Sequence, residues 1–470
     1  MLRAKRANVK LFSLNNTIIL RFANANRYRN CKRSLHIIDA KRHIIWTQSN
    51  IIDTYGVTSF ASSACTPPKG VIPMKIQLAV LFGGKSVEHE ISVISALQAM
   101  NSINTQKYDI IPVYITKQSA FYTGEALRDI TRYRDIPALL KDCTQVNFAM
   151  QDGRAVLTRT KSKAFGSNVV ATPDIAFPIV HGTNVEDGTL QGFLNLYGLP
   201  YVGCDVLSSA VGMDKYVQKA VLAAEGIPVL PALRFRAGAD QKEIVAKAEE
   251  SIGYPVIVKP VNLGSSVGIT KASDRDELLS ALDLAFSFAD TVILERAIVK
   301  LKEINCSVVG DEDGARPSVL EEPVAQDKIL SYRDKYMDGG KGGKNGGKSS
   351  GMASLKRKIP AEIDDATADK IKSLAVRSFG ALGCSGLVRI DFMIDMESGD
   401  VYFNEVNTIP GSLAFYLWEP AGVPYTDLLE ELISLARKRA RKQSGITYSF
   451  DTNVFAMGGG MGIKNKGTKS

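Results

Sequence analysis

The chain has 470 residues, enough for about three domains of ordinary size, so a single small binding module is excluded. Its formal charge of +9 is unevenly spread: residues 1–73 hold 12 Lys and Arg against 2 Asp and Glu, while the 46 and 47 of the remainder nearly cancel. Six scattered Cys without a CxxC support neither a zinc ribbon nor a disulfide scaffold and read as reduced thiols, and four His leave little for a His-built metal site or a Ser-His-Asp triad.

Residues 1–73 alternate basic clusters (Arg27, Arg29, Lys32, Arg33) with aliphatic patches such as Ile18-Ile19-Leu20, and close on Thr66-Pro67-Pro68-Lys69-Gly70. No sustained period is evident. Poverty in acids suits an organellar transit peptide, and a functional start at Met74 is the second reading; either way this leader is expected to be disordered or dispensable. From Ile76 the pattern is strand, Gly turn, helix: Ile76 to Phe82, then Gly83-Gly84, then a helical period from Ser86. Continuous apolar strands at Asp109–Ile115 and Ile175–Val180 repeat it, which predicts an open parallel α/β domain over 74–205 with ligands at the carboxyl ends of its strands. The longest uncharged run beyond residue 73, Gly188 to Cys204, contains Gln191, Asn195 and Pro200 and is no membrane span.

A new unit opens at Gly212-Met213-Asp214-Lys215, where Asp214 can cap a helix through Ala224. Strand-like Pro255–Pro260 and the loop Asn262 to Gly268 follow, then strands at Thr291–Leu294 and Ile304–Val309. These features predict a mixed α+β remainder. Residues 338–352 are rich in Gly and Lys and read as part of a lid, Leu428–Arg441 as an amphipathic closing helix, and 446–470 as a disordered tail.

Two constellations carry chemistry. The loop after Lys259 offers Gly264 and Gly268, the hydroxyls of Ser265 and Ser266 and a strand-end lysine, the parts of a phosphate cradle; an ordinary Gly-Ser turn is the plain reading, since Walker A spacing is absent. Further on, strand alternation puts Arg389 and Asp391 on one face and Glu405 and Asn407 on the facing strand of a hairpin. Such hard oxygen donors suit Mg²⁺, with a structural salt bridge to Arg389 as the alternative. Gly411, in the turn Asn407 to Gly411, offers a backbone N–H beside these carboxylates for a developing oxyanion.

Read together, Gly83-Gly84-Lys85-Ser86-Val87-Glu88-His89-Glu90, His181 to Gly188, Gly264-Ser265-Ser266-Val267-Gly268, Arg389-Ile390-Asp391 and Asn404 to Gly411 resemble the motifs of the D-alanine:D-alanine ligases, ATP-grasp enzymes of peptidoglycan precursor synthesis. The motifs run in order from about residue 74 to 445. The resemblance implies an N-terminal pre-ATP-grasp domain before an ATP-grasp unit of two lobes, 206–290 and 291–445, and a reaction in which ATP phosphorylates one D-alanine and the amine of a second attacks the acyl phosphate. By family position Glu88, Ser265 and Tyr336 form a triad around the first ammonium. Lys215, Lys259 and Ser266 meet ATP phosphates, Glu295, Ala297 and Ile298 the adenine, and Glu303 the ribose. Asp391, Glu405 and Asn407 bind two Mg²⁺ ions, with Mn²⁺ as a substitute. Arg389 and the Gly411 N–H stabilise the tetrahedral intermediate, and His181 belongs to the substrate site. A lid over 331–354 carries Lys335 to the γ phosphate.

The resemblance further implies a cytoplasmic homodimer acting on D-alanine and ATP, without nucleic acid or membrane; import into an organelle applies if residues 1–73 are a transit peptide. Two departures stand out. Val185 replaces a more common Gly, and Ser412-Leu413-Ala414-Phe415-Tyr416 follows Gly411 in place of a Met-Thr run with a downstream Ser, which leaves Ser412 as the candidate hydroxyl for the second substrate's carboxylate. A D-lactate or D-serine acceptor is the enzymatic alternative, and a non-catalytic nucleotide or nucleic-acid binder the alternative from another class; the intact charged set favours catalysis.

Overall fold

A computed structural model of the chain describes residues 9–14, 17–22, 36–39, 74–324 and 357–448. The expected lid, with Lys335 and Tyr336, and the tail from 449 onward lie outside them. The chain divides into two units, 1–73 and 74–470. In the first, β1 (Val9–Leu14), β2 (Thr17–Phe22) and β3 (His36–Asp39) pair antiparallel in that order. This corrects the reading of the leader as patternless: Leu14 pairs with Thr17, leaving only Asn15-Asn16 between two short β-branched and aliphatic runs that are too brief to show a period.

The second unit begins with β4 (Ile76–Gly83), α1 (His89–Ser102), β5 (Tyr108–Ile115), β6 (Phe121–Thr123), α2 (Ile136–Lys141), β7 (Thr144–Gln151), β8 (Arg154–Arg159), β9 (Val169–Ala171) and β10 (Ile175–Val180). The order β10-β4-β5-β6-β7-β8-β9 combines a parallel core of β10, β4 and β5 with an antiparallel extension. The core strands are buried on both faces, as their unbroken apolar runs require. The extension went unforeseen because β6 and β9 have three residues each. Glycines at φ 93° and 102° (Gly83, Gly84) turn β4 into α1, and a Cβ on Gly84 would meet Val185 Cγ1 at 2.6 Å, so Val185 takes its place in that turn by packing on a glycine.

After α3 (Thr189–Leu196) and α4 (Val206–Met213), Asp214 accepts from the backbone N–H of Tyr216 and Val217 at 2.9 Å and caps α5 (Lys215–Ala224) as predicted. Next come β11 (Ala232–Arg236), α6 (Gln241–Ser251), β12 (Val256–Pro260), β13 (Thr270–Ala272), α7 (Arg275–Phe286) and β14 (Thr291–Arg296), whose strands form a sheet in the order β11-β14-β12-β13. The boundary placed at 290/291 is thereby corrected: β14 pairs with both β11 and β12, and its Val292 and Leu294 belong to this lobe's core. A five-stranded antiparallel sheet closes the unit, built from β15 (Leu301–Asp311), β16 (Gly314–Pro323), β17 (Arg357–Lys358), β18 (Gly386–Asp395) and β19 (Asp400–Asn407) in the order β17-β16-β15-β18-β19. Helix α8 (Asp365–Ala381) packs on it, and α9 (Tyr425–Gln443) returns to the N-terminal sheet, its Leu428, Leu429, Leu432 and Ile433 sharing a core with β4 and β10. Among the described residues Cys204, Cys306 and Cys384 are buried free thiols and Cys143 is a half-buried one.

Candidate active site

A cavity of about 1020 Å³ lies where the carboxyl ends of β4 and β10 meet the two later sheets. Fifteen of the site residues named from sequence line it: Glu88, His181, Lys215, Lys259, Ser265, Ser266, Glu295, Ala297, Ile298, Glu303, Arg389, Asp391, Glu405, Asn407 and Gly411.

Glu88 stands at the start of α1, where negative charge is favourable, and is buried. The Ser265 hydroxyl donates to its Oε1 across 177 residues of sequence. Two features make that contact possible: a Cβ on Gly264 would lie 2.8 Å from Glu88 Oε2, and Ser265 and Ser266 are held at φ 55° and 59°, the left-handed region that a non-glycine residue adopts only under tertiary constraint.

The hairpin of β18 and β19 has the predicted register, with Arg389 opposite Asn407 and Asp391 opposite Glu405. Arg389 donates through Nε and Nη2 to the two oxygens of Asp391, each at 2.7 Å, and Asn407 Nδ2 donates to Asp391 Oδ2 at 3.1 Å. Burial pushes the Asp391 carboxyl up against the pull of Arg389, while Asp391 outweighs burial to hold the guanidinium well above its usual value. Lys215 Nζ reaches Glu405 Oε2 at 2.9 Å and the Leu263 carbonyl at 2.7 Å, which ties α5 to the loop after β12. Two carboxylates and an amide oxygen on adjacent strands form a hard donor set for a divalent cation, and Arg389 and Lys215 balance the carboxylates meanwhile. Among the described residues no group of three or more His, Cys, Asp or Glu is placed to hold a metal ion.

Three expectations change. Glu295 does not present a free carboxylate to a ligand: it is 1% exposed, receives Lys259 Nζ at 2.8 Å on Oε2 and Lys219 Nζ on Oε1. Burial opposes its ionisation, but the two lysines outweigh burial and hold it down at about 2. Lys259 is consequently engaged inward, also meeting Asn404 Oδ1 at 3.2 Å. Ser412 is buried, and its Oγ has no partner among the described residues; its N–H donates to Ser95 Oγ at 2.8 Å. Ser412 therefore packs behind the wall, where the left-handed turn that starts at its own φ of 54° puts it.

His181 belongs to the same wall. Its Nδ1 is 2.7 Å from the Ile409 carbonyl, which can only accept, so Nδ1 carries the proton and Nε2 accepts from the Ser95 hydroxyl at 3.0 Å. Burial lowers the pKa of this imidazole and keeps it neutral, as the arrangement requires. Glu186 completes the clasp, accepting from the N–H of Gly182 (2.9 Å) and Ile409 (2.8 Å) and from the Thr408 hydroxyl (3.1 Å); burial, with Glu88 adding to it, pushes its carboxyl up to about 8. Ser95 and Glu186 were not identified as site residues from sequence. Two signals were available: Ser95 lies two turns along α1 on the face of Glu88, and Glu186 falls within the His181 to Gly188 motif.

Residues 77–204 match the family model described as D-ala D-ala ligase N-terminus, and 221–434 the model described as D-ala D-ala ligase C-terminus. A D-alanine--D-alanine ligase of Thermosipho africanus is 37% identical over 381 residues, covering 81% of this chain and 98% of that protein. The chain belongs to the D-alanine--D-alanine ligase family. The ligase of that name from Caldicellulosiruptor bescii is 38% identical over 80% of this chain and 99% of its own length. Among solved structures, the D-alanine-D-alanine ligase from Coxiella burnetii superposes with a TM-score of 0.66 at 28% identity, covering 79% of this chain and 96% of that one. VanG D-Ala:D-Ser ligase from Enterococcus faecalis gives 0.64 at 33%, covering 77% and 100%. The fold is thus the ATP-grasp fold of this ligase family, and membership implies an ATP-dependent reaction on small molecules. No helix among the described residues is long and apolar enough to cross a membrane.

Proposed function

We propose that the protein joins two D-alanines at the expense of ATP through an acyl phosphate, for peptidoglycan precursor synthesis. The observation that carries this reading is the convergence of Glu88, Ser265, Lys215, Lys259, Arg389, Asp391, Glu405, Asn407 and Gly411 on one cavity from strands, helix starts and loops far apart in the sequence. An ammonium needs a buried acceptor, which the Glu88 and Ser265 pair supplies. The first carboxylate, turned tetrahedral during attack, needs donors where charge develops, and Arg389 and the Gly411 N–H are suited to that. His181, Ser95 and Glu186 hold the Ile409–Ser412 segment and so aim the Gly411 N–H. Lys215 and Ser266 face the triphosphate, with Lys259 held at the cavity wall by Glu295; Ala297 and Ile298 face the base and Glu303 the ribose, and Glu295 acts on the nucleotide pocket through the lysines it fixes. Asp391, Glu405 and Asn407 would hold Mg²⁺, which neutralises phosphate charge when bound. Lys335 and Tyr336 complete the site from the lid, and a cytoplasmic homodimer is the proposed state.

Incubation with ATP, Mg²⁺ and D-alanine, with phosphate and dipeptide measured, tests the reading. Product requiring D-serine or D-lactate as second substrate would replace it with another acceptor specificity, a live comparison given the VanG likeness; no turnover with any of them would overturn it.

A further inference from the structure

One charged cluster in the cavity wall has no part in this scheme. Arg357 of β17 is 10% exposed at its side chain and pairs through Nη1 with Glu321 Oε2 at 2.8 Å, and its guanidinium carbon lies 4.0 Å from the centre of the Tyr416 ring. Glu321, 3% exposed on β16, also accepts from Asn305 Nδ2 at 2.8 Å and stands 3.5 Å from the Tyr416 hydroxyl. Tyr416 arrives there because Ser412, Leu413 and Ala414 all take left-handed φ values (54°, 49° and 46°) and curl the chain back directly after Gly411. Arg357, Glu321 and Asn305 line the same cavity as Gly411 and Arg389, and Glu321 and Tyr416 both act on the charge of Arg389.

The acceptor amino acid must bring its amine to the acyl carbon beside Gly411 while its carboxylate, one Cα away, stays unreacted. That carboxylate needs a cation distinct from those serving phosphate and the tetrahedral centre. Ser412 is buried behind the wall and cannot serve. Of the other cations lining the cavity, Lys215 is paired with Glu405, Lys259 with Glu295, Arg389 with Asp391, Arg296 with Asp395, Lys302 with Glu322 and Lys358 with Glu362, while Lys271 is an exposed residue of β13 in the lobe of β11 to β14. A guanidinium has five N–H donors in a planar fork matched to a carboxylate, and one seated over an aromatic ring with an acidic partner is already oriented. We propose that Arg357, oriented by Glu321 and the Tyr416 ring, binds the carboxylate of the acceptor and thereby selects a second substrate that carries one. The proposal rests on the ligase reading above.

Replacing Arg357 alone would leave Glu321 buried and unpaired, so the variant of choice is the double Glu321→Gln/Arg357→Gln, in the full chain. Acyl phosphate formed from the first D-alanine is trapped with hydroxylamine, and dipeptide synthesis is compared for D-alanine and D-alaninamide as acceptors. The expected result is hydroxamate formation near wild type, an acceptor KM raised about 10- to 100-fold, and loss of the preference for D-alanine over the amide by a similar factor. Arg357→Lys, which keeps the ion pair, should lose part of that preference, because an ammonium has neither fork nor planar stack. An unchanged preference ratio in both variants, even with slower turnover, overturns the proposal, since damage to packing alone lowers both acceptors equally. Wild type that forms neither hydroxamate nor dipeptide overturns the ligase reading, and this inference with it.

Discussion

The lobe of β11 to β14 and the remainder of residues 74–448 are built differently. The lobe closes its own core: Ile244, Val256, Leu278, Leu282 and Leu294 all come from residues 244–294. The N-terminal sheet does not; its cluster runs from Leu78 to Ala436 and includes Trp418, Leu432 and Ile433 from the far end of the sequence. One region is a nearly independent body attached by polar contacts, among them Ser265 to Glu88, Lys215 to the Leu263 carbonyl and Lys259 to Asn404. The other is locked together by long-range packing. A site that must admit two amino acids and a nucleotide and then exclude water is well served by this division, because polar contacts can be remade and an interdigitated core cannot.

The contrast can be broken most forcefully through Trp418, which is 1% exposed, donates from Nε1 to Ser307 Oγ at 3.0 Å and lies under Arg316. Trp418→Ala should cost about 3–5 kcal/mol and weaken amide protection in β4 and α9 together, as read by hydrogen exchange at rising urea. Protection lost in α9 while β4 keeps its own would refute the shared core. Leu282→Ala should cost about 2–5 kcal/mol within the lobe alone. In a Trp46→Phe background, calorimetry should then reveal an early transition during which Trp418 fluorescence stays native; simultaneous loss would show that the lobe is not independent.

Smaller effects test the seam. Arg389→Ala should lose about 2–4 kcal/mol of transition-state stabilisation with the melting profile of the lobe unchanged, and dipeptide turnover near wild type would remove Arg389 from the proposed oxyanion site. Ser265→Ala should cost about 1.5–3 kcal/mol in kcat/KM for the first D-alanine, the range for a hydrogen bond to a charged group. The gentlest test is pH. Glu186 titrates near 8 when folded against an ordinary 4.5, so folding retains a proton that the unfolded chain releases between these values. Its contribution is fully present below pH 4.5 and is lost as pH rises to about 8. Stability of Glu186→Gln should be flatter than wild type across that window; equal slopes would mean that the carboxyl ionises normally.

Much of the site was legible because its chemistry is local. The facing of Asp391 and Glu405 follows from the two-residue period of strands, the Asp214 cap from its place before α5, and the Gly83-Gly84 turn from glycine's access to positive φ. Glu295 was misread because its partners Lys219 and Lys259 come from another helix and strand, and no pattern around residue 295 announces that its carboxylate points inward. Ser412 was misread because a hydroxyl after Gly411 looks available until three successive left-handed residues turn it away.

From the sequence alone follow the elements, the order of the motifs and the residue types able to hold ammonium, phosphate and metal, since these depend on spacing over a few residues. Which side chains share a cavity was decided by tertiary structure: Ser95 beside His181 across 86 residues, its contact with the Ser412 N–H across 317, and the Tyr416 ring beneath Arg357. The reason is burial. A charged or polar group taken from water must find its partner wherever the packed core leaves one, and that position is set by the assembly of the sheets and not by neighbours along the chain.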